Sequence, residues 1–385
     1  MRITNVEITP ISVPFVEPVR WRYGVASGVS SAIVRITTDE GVEGFGEAPG
    51  EPTIDVVIHA LAALRHGLLG KDPRRVREII GAFAMSGADH FPYVYNTAVA
   101  ALEMALLDIC GKALGCPIYD LLGGRTNESL EFYWHVNPVR DERSAVAEAA
   151  QVGLDRGFHT MYLKGSADVE RDVTLTEAIR AQVGVDVALR IDPNEAWHPL
   201  GARRFAERIA ALPLEFLEQP FPKDAHAAAR RFSSETGIAV AANQSAWRLQ
   251  DLALVLRWGA ADVVVTGIHQ CGGMLRLVAA AEQCALAGVR LVRHSVCDLG
   301  IGTAAAVQVL ATMPDGGLAH QTHLTLFVDD LLEDPWRFEA GKLAVPTAPG
   351  LGITVREEAL QRFARHYQEL GEYRGYAPPR GAALD

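Results

Sequence analysis

The chain has 385 residues, 49% of them hydrophobic and 22% charged, with a formal net charge of −11. That length exceeds one compact mixed domain and supports a large core. The acidic balance argues against nucleic acid or an anionic membrane as partner, since both need a basic face. A small anionic substrate is compatible if a local cation offsets the field.

The opening run, MRITNVEITPISVPF, alternates like a strand and lacks the charged and apolar regions of a signal peptide. No apolar run is long enough to span a bilayer, so a cytoplasmic location is expected. Up to about residue 125 the pattern is α+β. Strand-like runs meet at the turn Asp39-Glu40-Gly41, and helical sequence ends in TAVAALEMALLDICGKALG with Gly115 and Pro117 as stop signals.

From about 126 to 328 short β-branched runs alternate with Ala-rich amphipathic stretches, the texture of βαβ units around a parallel sheet. The polar residue ending each run sets a rhythm. Lys164, Asp192, Glu218, Gln244, Gly267, His294 and His320 are spaced by 28, 26, 26, 23, 27 and 26 residues. One strand plus one helix of a (β/α)8-type barrel needs roughly 25 residues, and barrel enzymes place their chemistry at these strand ends. A doubly wound open sheet would instead gather ligand groups at one switch point. The segment 329–385 is short and charged, with little core of its own; it is expected to complete a capping domain with residues 1–125.

Asp192 and Glu218 end consecutive runs, RID and FLE. Two carboxylates at neighbouring strand ends repel unless a cation bridges them, and hard oxygen ligands suit Mg²⁺. The plainer reading is two acids paired with basic residues of nearby loops. Asn243-Gln244 at the next strand end offers amide oxygens as further ligands. Lys164 and His294 could flank a bound substrate as a base–acid pair, because a neighbouring cation would lower the lysine pKa towards neutrality. Alone, each is more simply a solvated or satisfied side chain. His320 is expected to contact substrate and His323 to be structural, the pair lacking the H-E-x-x-H pattern. The cysteines (Cys110, Cys116, Cys271, Cys284, Cys297) show neither a C-x-x-C pair nor an obvious base partner, and are read as packing residues.

Read together, ALEMALLDICGKALGCPIYDLLGGR, DPNEAW, LEQP, CGGMLR and APGLGI resemble, in order and spacing, elements of the enolase superfamily, in its mandelate racemase and muconate lactonizing enzyme group. The resemblance implies a modified TIM barrel with an α+β cap. It also implies a Mg²⁺ cofactor that binds the substrate carboxylate while a base removes the α-proton. Carried over, Asp192, Glu218 and Gln244 match metal ligands, Asn194 the polar neighbour, Lys164 the base, and His294 the seventh-strand histidine. Tyr162 stands where the family has a further lysine. Arg20, Trp21, Arg22 and Tyr23 are expected to point at the substrate from a loop of the cap. Three departures accompany the match: Gln244 replaces an acid, Gly267 replaces the acid or lysine of the sixth strand, and Tyr162 replaces a lysine.

The leading expectation is a dehydratase acting on a hydroxy or sugar acid, with Lys164 taking the α-proton and His294 assisting loss of the β-hydroxyl. A racemase, epimerase or lactone cycloisomerase is the alternative, and a catalytically silent binding protein of the same fold the third. A small-molecule carboxylate is the expected partner, with no nucleic acid and no membrane, in a homo-oligomer.

Overall fold

A computed structural model describes residues 1–85, 87, 90–137, 142–314 and 317–374. The chain opens with an antiparallel sheet of Ile3–Trp21, Gly24–Thr38 and Glu43–Pro49. The first two strands form a hairpin running from Ile3 opposite Thr38 to Trp21 opposite Gly24, with a register break between Pro14 and Val19. Proline cannot donate to a ladder, so Pro14 and Pro18 suit this break. Beside it the hairpin touches the segment that follows the last barrel strand, where Phe15 bridges Phe327.

The helix Pro92–Leu114 is buried along most of its length, which explains its nearly unbroken apolar sequence. It lies so close to the sheet that a Cβ added at Gly46 would stand 1.9 Å from the Ala101 carbonyl oxygen. One apolar cluster runs from Ile11 and Ala101 through Leu277 to Ala304, so this layer and the outer helices of the barrel bury each other.

Among the described residues, seven strands form one parallel sheet in chain order. They are Trp134–Val136, Thr160–Lys164, Ala188–Asp192, Phe216–Glu218, Val240–Ala242, Val263–Thr266 and Arg290–Arg293. An eighth segment spans the gap between the last and the first. Gln321 N–H donates to Arg293 O, Tyr133 N–H donates to His320 O, and Phe132 forms a parallel bridge with His320. The sheet thus curls into a (β/α) barrel with an antiparallel sheet of the cap beside its mouth. Local chemistry fits each connection. Asp168 accepts the N–H groups of Glu170 and Arg171 to start one helix, and left-handed Gly237 and Gly259 end two others.

The C-terminal segment joins both parts. Lys342–Ala344 pairs antiparallel with Ser129–Glu131, and the helix Glu357–Leu370 packs on the first strand. Residues 375–385, the end of the segment expected to complete the cap, lie outside the described residues.

Candidate active site

The strand ends converge on Asp192. Lys164 and Asp192 are register partners in adjacent strands. Lys164 Nζ lies 2.6 Å from Asp192 Oδ2, and the Tyr162 hydroxyl donates to the same oxygen at 2.5 Å. The Asn194 backbone N–H donates to Oδ1 at 2.8 Å. A fully buried carboxylate needs such donors to offset its desolvation.

Glu218 next door has none: both its oxygens are buried without a hydrogen-bond partner. Burial, and then the negative charge of Asp192, push its pKa up to about 8. Gln244 Oε1 and Asn194 Oδ1 are also buried and unpartnered. Unmet buried oxygens cost about 1–3 kcal/mol each, and a cluster of hard oxygen donors is what a hard divalent cation needs. Among the described residues no three of His, Cys, Asp and Glu converge as a metal cluster, so the set is two acids and amide oxygens. The donor chemistry fits Mg²⁺. The Asn243 amide nitrogen is held by Val265 O at 2.7 Å, which makes that residue a brace and leaves Gln244 as the better ligand of the two. Gln219, absent from the sequence reading, is a second brace. Its oxygen accepts the N–H groups of Asn243 and Ser245, while its nitrogen donates to Phe221 O and Ser245 Oγ. Asn194, Glu195, Gln219 and Cys297 adopt positive φ angles of 48°, 65°, 38° and 58°. Backbone strain of this kind gathers at functional sites.

Lys164 and His294 line one cavity of about 250 Å³. Burial pushes the Lys164 pKa down, but Asp192 and Glu218 outweigh it and favour the ammonium form. The opposite holds for His294: burial, then the Lys164 charge, push its pKa down to about 3. Its Nδ1 has no partner. The glycine that precludes an acid behind it is sterically required, because a Cβ at Gly267 would lie 2.3 Å from the His294 carbonyl oxygen.

The cap hairpin corrects the expectation for Arg20 to Tyr23. Arg20 and Trp21 end the first strand, where side chains alternate, and Arg22 and Tyr23 form the turn. Trp21 and Tyr23 line the cavity, while Arg20 borders a separate small crevice and Arg22 donates to Asn194 O at 2.5 Å. The two histidines of H-x-x-H exchange their expected places. His320 belongs to the segment closing the barrel, where its Nδ1 faces the Arg293 N–H at 3.2 Å, and it does not line the cavity. His323 does. Tyr162 stacks on Tyr133 with 4.7 Å between rings and does not line the cavity itself, its hydroxyl bonded to Asp192 and its ring beside Lys164 and His135.

His135, Gln321 and Tyr373 also line the cavity and escaped the sequence reading. His135 sits on the first barrel strand, one repeat before Lys164, so extending the rhythm backwards would have found it. Tyr373 follows the last helix and carries no local signal. Cys297 lines the cavity as well, whereas Cys110, Cys271 and Cys284 are buried, their thiol pKa values raised by burial as packing residues require.

Residues 3–123 match the family described as mandelate racemase / muconate lactonizing enzyme, N-terminal domain, and residues 144–359 the enolase C-terminal domain-like family. The chain is 28% identical to the N-succinyl-L-Arg/Lys racemase of Bacillus cereus, covering 94% of this chain and 98% of the relative. It is 30% identical to a Streptomyces coelicolor protein named probable glucarate dehydratase, covering 95% and 92% respectively. A crystal structure of an enolase from Streptomyces coelicolor superposes with a TM-score of 0.89 at 29% identity, covering 97% of this chain and 99% of that one. Curated relatives thus include racemases, epimerases, cycloisomerases and a dehydratase. With both halves of the chain matched and the barrel in place, the protein belongs to the mandelate racemase and muconate lactonizing enzyme group of the enolase superfamily.

Proposed function

We propose that this chain catalyses 1,1-proton transfer, racemisation or epimerisation, at the carbon α to a substrate carboxylate, with residues 1–125 and 329–385 as the cap over a barrel of 126–328. The observation that carries the reading is a lysine and a histidine lining one cavity, Lys164 held by Asp192 and His294 with its Nδ1 unpartnered. Two-base inversion needs one group that accepts a proton and one that delivers it. Neutral His294, with Nδ1 open, accepts the α-proton from one face, and the Lys164 ammonium delivers a proton to the other. For the opposite stereoisomer the roles reverse. Tyr162 and the Asn194 backbone hold Asp192, which in turn orients Lys164. Asp192, Glu218 and Gln244 would hold Mg²⁺, which when bound supplies positive charge where the carboxylate gathers negative charge. By offsetting the two carboxylates, the cation would also bring Lys164 within reach of the neutral form.

Dehydration is the second reading, favoured by the 30% identity to the probable glucarate dehydratase. It asks His294 to give a proton to a departing hydroxyl. That step uses the same protonated His294 as inversion of the opposite stereoisomer, so the products formed decide between the two readings.

The test is to incubate enantiopure carboxylates with the protein in deuterated water containing Mg²⁺. Wild type is expected to invert and exchange the α-proton of both stereoisomers. Lys164→Met and His294→Asn should each lose inversion by about 10²-fold or more while exchanging one stereoisomer, opposite for the two variants. Release of a 2-oxo acid instead would establish dehydration, and wild-type protein that exchanges no α-proton would overturn both readings.

A further inference from the structure

The two ends of the cavity differ in chemistry. Its barrel end carries Lys164, His294 and the amide and imidazole groups already described, whereas the cap end is walled chiefly by Phe15, Val19, Val29, Leu326 and Tyr373, with Ser30 and Glu51 as polar members. The last of these comes from beyond the C-terminal helix. Gly371, at φ 79°, turns the chain off that helix, and the next residues are tied to three separate parts of the cap. Glu372 Oε2 accepts the Ile54 N–H at 3.0 Å, at the start of the first cap helix. The Tyr373 N–H donates to Ser30 Oγ at 2.9 Å, and Ser12 Oγ donates to Gly371 O at 2.9 Å. The Ser12 and Ser30 hydroxyls lie 2.7 Å apart, so one directional chain runs from the Tyr373 N–H through Ser30 and Ser12 to Gly371 O. Each hydroxyl donates once and accepts once.

Both serines are buried within the sheet, at 0% and 2% exposure, where a hydroxyl without a partner is costly. The strap meets that need. Gly28 makes room for it, since a Cβ there would stand 2.6 Å from the Tyr373 ring.

We propose that the strap Gly371–Arg374 completes the active site and that Tyr373 is a specificity-determining residue. It sets the length and apolar character of the substrate's distal group. The substrate class is then an α-substituted carboxylate bearing a short apolar or aromatic distal group rather than a polyhydroxylated chain. A polyol lying against the cap end would bury most of its hydroxyls beside apolar walls, Glu51 being a polar exception and the Ser30 hydroxyl already engaged by Ser12 and the strap. The proposal rests on the reading above in one respect, that the carboxylate end sits at the barrel end of the cavity.

The experiment measures binding rather than turnover, so that the two readings fail separately. Full-length protein in millimolar Mg²⁺ is titrated calorimetrically with carboxylates that lack an α-proton. The series is 2,2-dimethylbutanoate, 2,2-dimethyl-3-phenylpropanoate and 2,2-dimethyl-5-phenylpentanoate, set against gluconate, which keeps its α-proton and is therefore checked by NMR for recovery unchanged. Wild type is expected to bind the phenylpropanoate at least about tenfold more tightly than gluconate, as burial of a phenyl ring implies, and to reject the phenylpentanoate. Tyr373→Ala should lift that rejection by about tenfold or more, whereas Tyr373→Phe should keep the wild-type ranking, because ring shape is what matters. Should Tyr373→Ala not fold, Tyr373→Leu must shift the ranking the same way. Tightest binding of gluconate, binding of none of the four, or a ranking unchanged by the shortened side chain would each overturn the proposal. Wild-type protein that binds as expected, yet never exchanges the α-proton of a reactive congener, would overturn the proton-transfer reading and leave this one standing.

Discussion

Glu218 shows how one side chain can report what a site is built to hold. Its two buried, unpartnered oxygens and its pKa of about 8 make it a poor resting carboxylate. A cation binding there must displace a proton whenever the pH lies below that value. Mg²⁺ affinity is therefore expected to rise with pH between about 6 and 8, with proton release detectable as a buffer-dependent calorimetric heat. Above that window the dependence should flatten. Gln244→Glu should tighten Mg²⁺ by about tenfold or more, since a third carboxylate adds a full charge to the oxygen set. An unchanged titration would remove Gln244 from the site. His294 makes the complementary point: its neutral state follows from burial and from a lysine ammonium sharing the cavity. No single-residue pattern announces that.

At the scale of elements, the sixth barrel strand and the cap hairpin control what reaches the cavity. Gly267 ends the sixth strand so close to the His294 carbonyl that a side chain cannot be added without moving the seventh-strand end. Gly267→Ala is expected to cost about 1–3 kcal/mol, the usual penalty of overpacking. It should also depress turnover by shifting His294. Thermal melting and turnover together check this, and an active, fully stable variant would refute the steric account. For the same reason Gly267→Asp should not restore a histidine–acid pair. In the hairpin, alternation separates Trp21 from Arg20. Trp21→Ala should raise KM by about tenfold, as loss of an aromatic wall implies. Arg20→Ala should leave it within about twofold, as a surface change does.

On the scale of the whole molecule, cap and barrel are locked by buried polar groups as well as apolar packing. Glu47, on the third cap strand, accepts the N–H groups of Leu299 at 2.7 Å and Gly302 at 2.8 Å. These lie at the start of the helix that follows the His294 loop. Burial, and then the Asp298 carboxylate, push the Glu47 pKa from its ordinary 4.5 up to about 8. Asp330 adds to that push, while Asp298 itself is paired with Arg293 and His269. The folded protein therefore keeps a proton at Glu47 that the unfolded chain releases above about pH 4.5. Its contribution to stability falls as pH rises through the window from about 4.5 to about 8. Denaturant unfolding at several pH values should show a shallower decline for Glu47→Gln than for wild type. Parallel curves would mean that Glu47 does not titrate with folding.

Much of this architecture could be read without coordinates, because it depends on short-range periodicity. A strand ending in a polar residue about every 25 positions can be counted, and a barrel brings such ends together. That is why Lys164, Asp192, Glu218, Gln244 and His294 were legible as one set, and why the family resemblance could be carried by motifs at those positions. What tertiary structure decided was orientation and distance. The hairpin strand turned Trp21 rather than Arg20 to the cavity, and its turn brought Tyr23 there as well. Closure of the barrel put His320 between strands and His323 on the cavity. The contribution of Tyr373 depends on Ser12 and Ser30, more than three hundred positions away in sequence. Local propensity and spacing act over a few residues, whereas side-chain direction at a strand end and contacts between chain termini are settled only when distant segments pack.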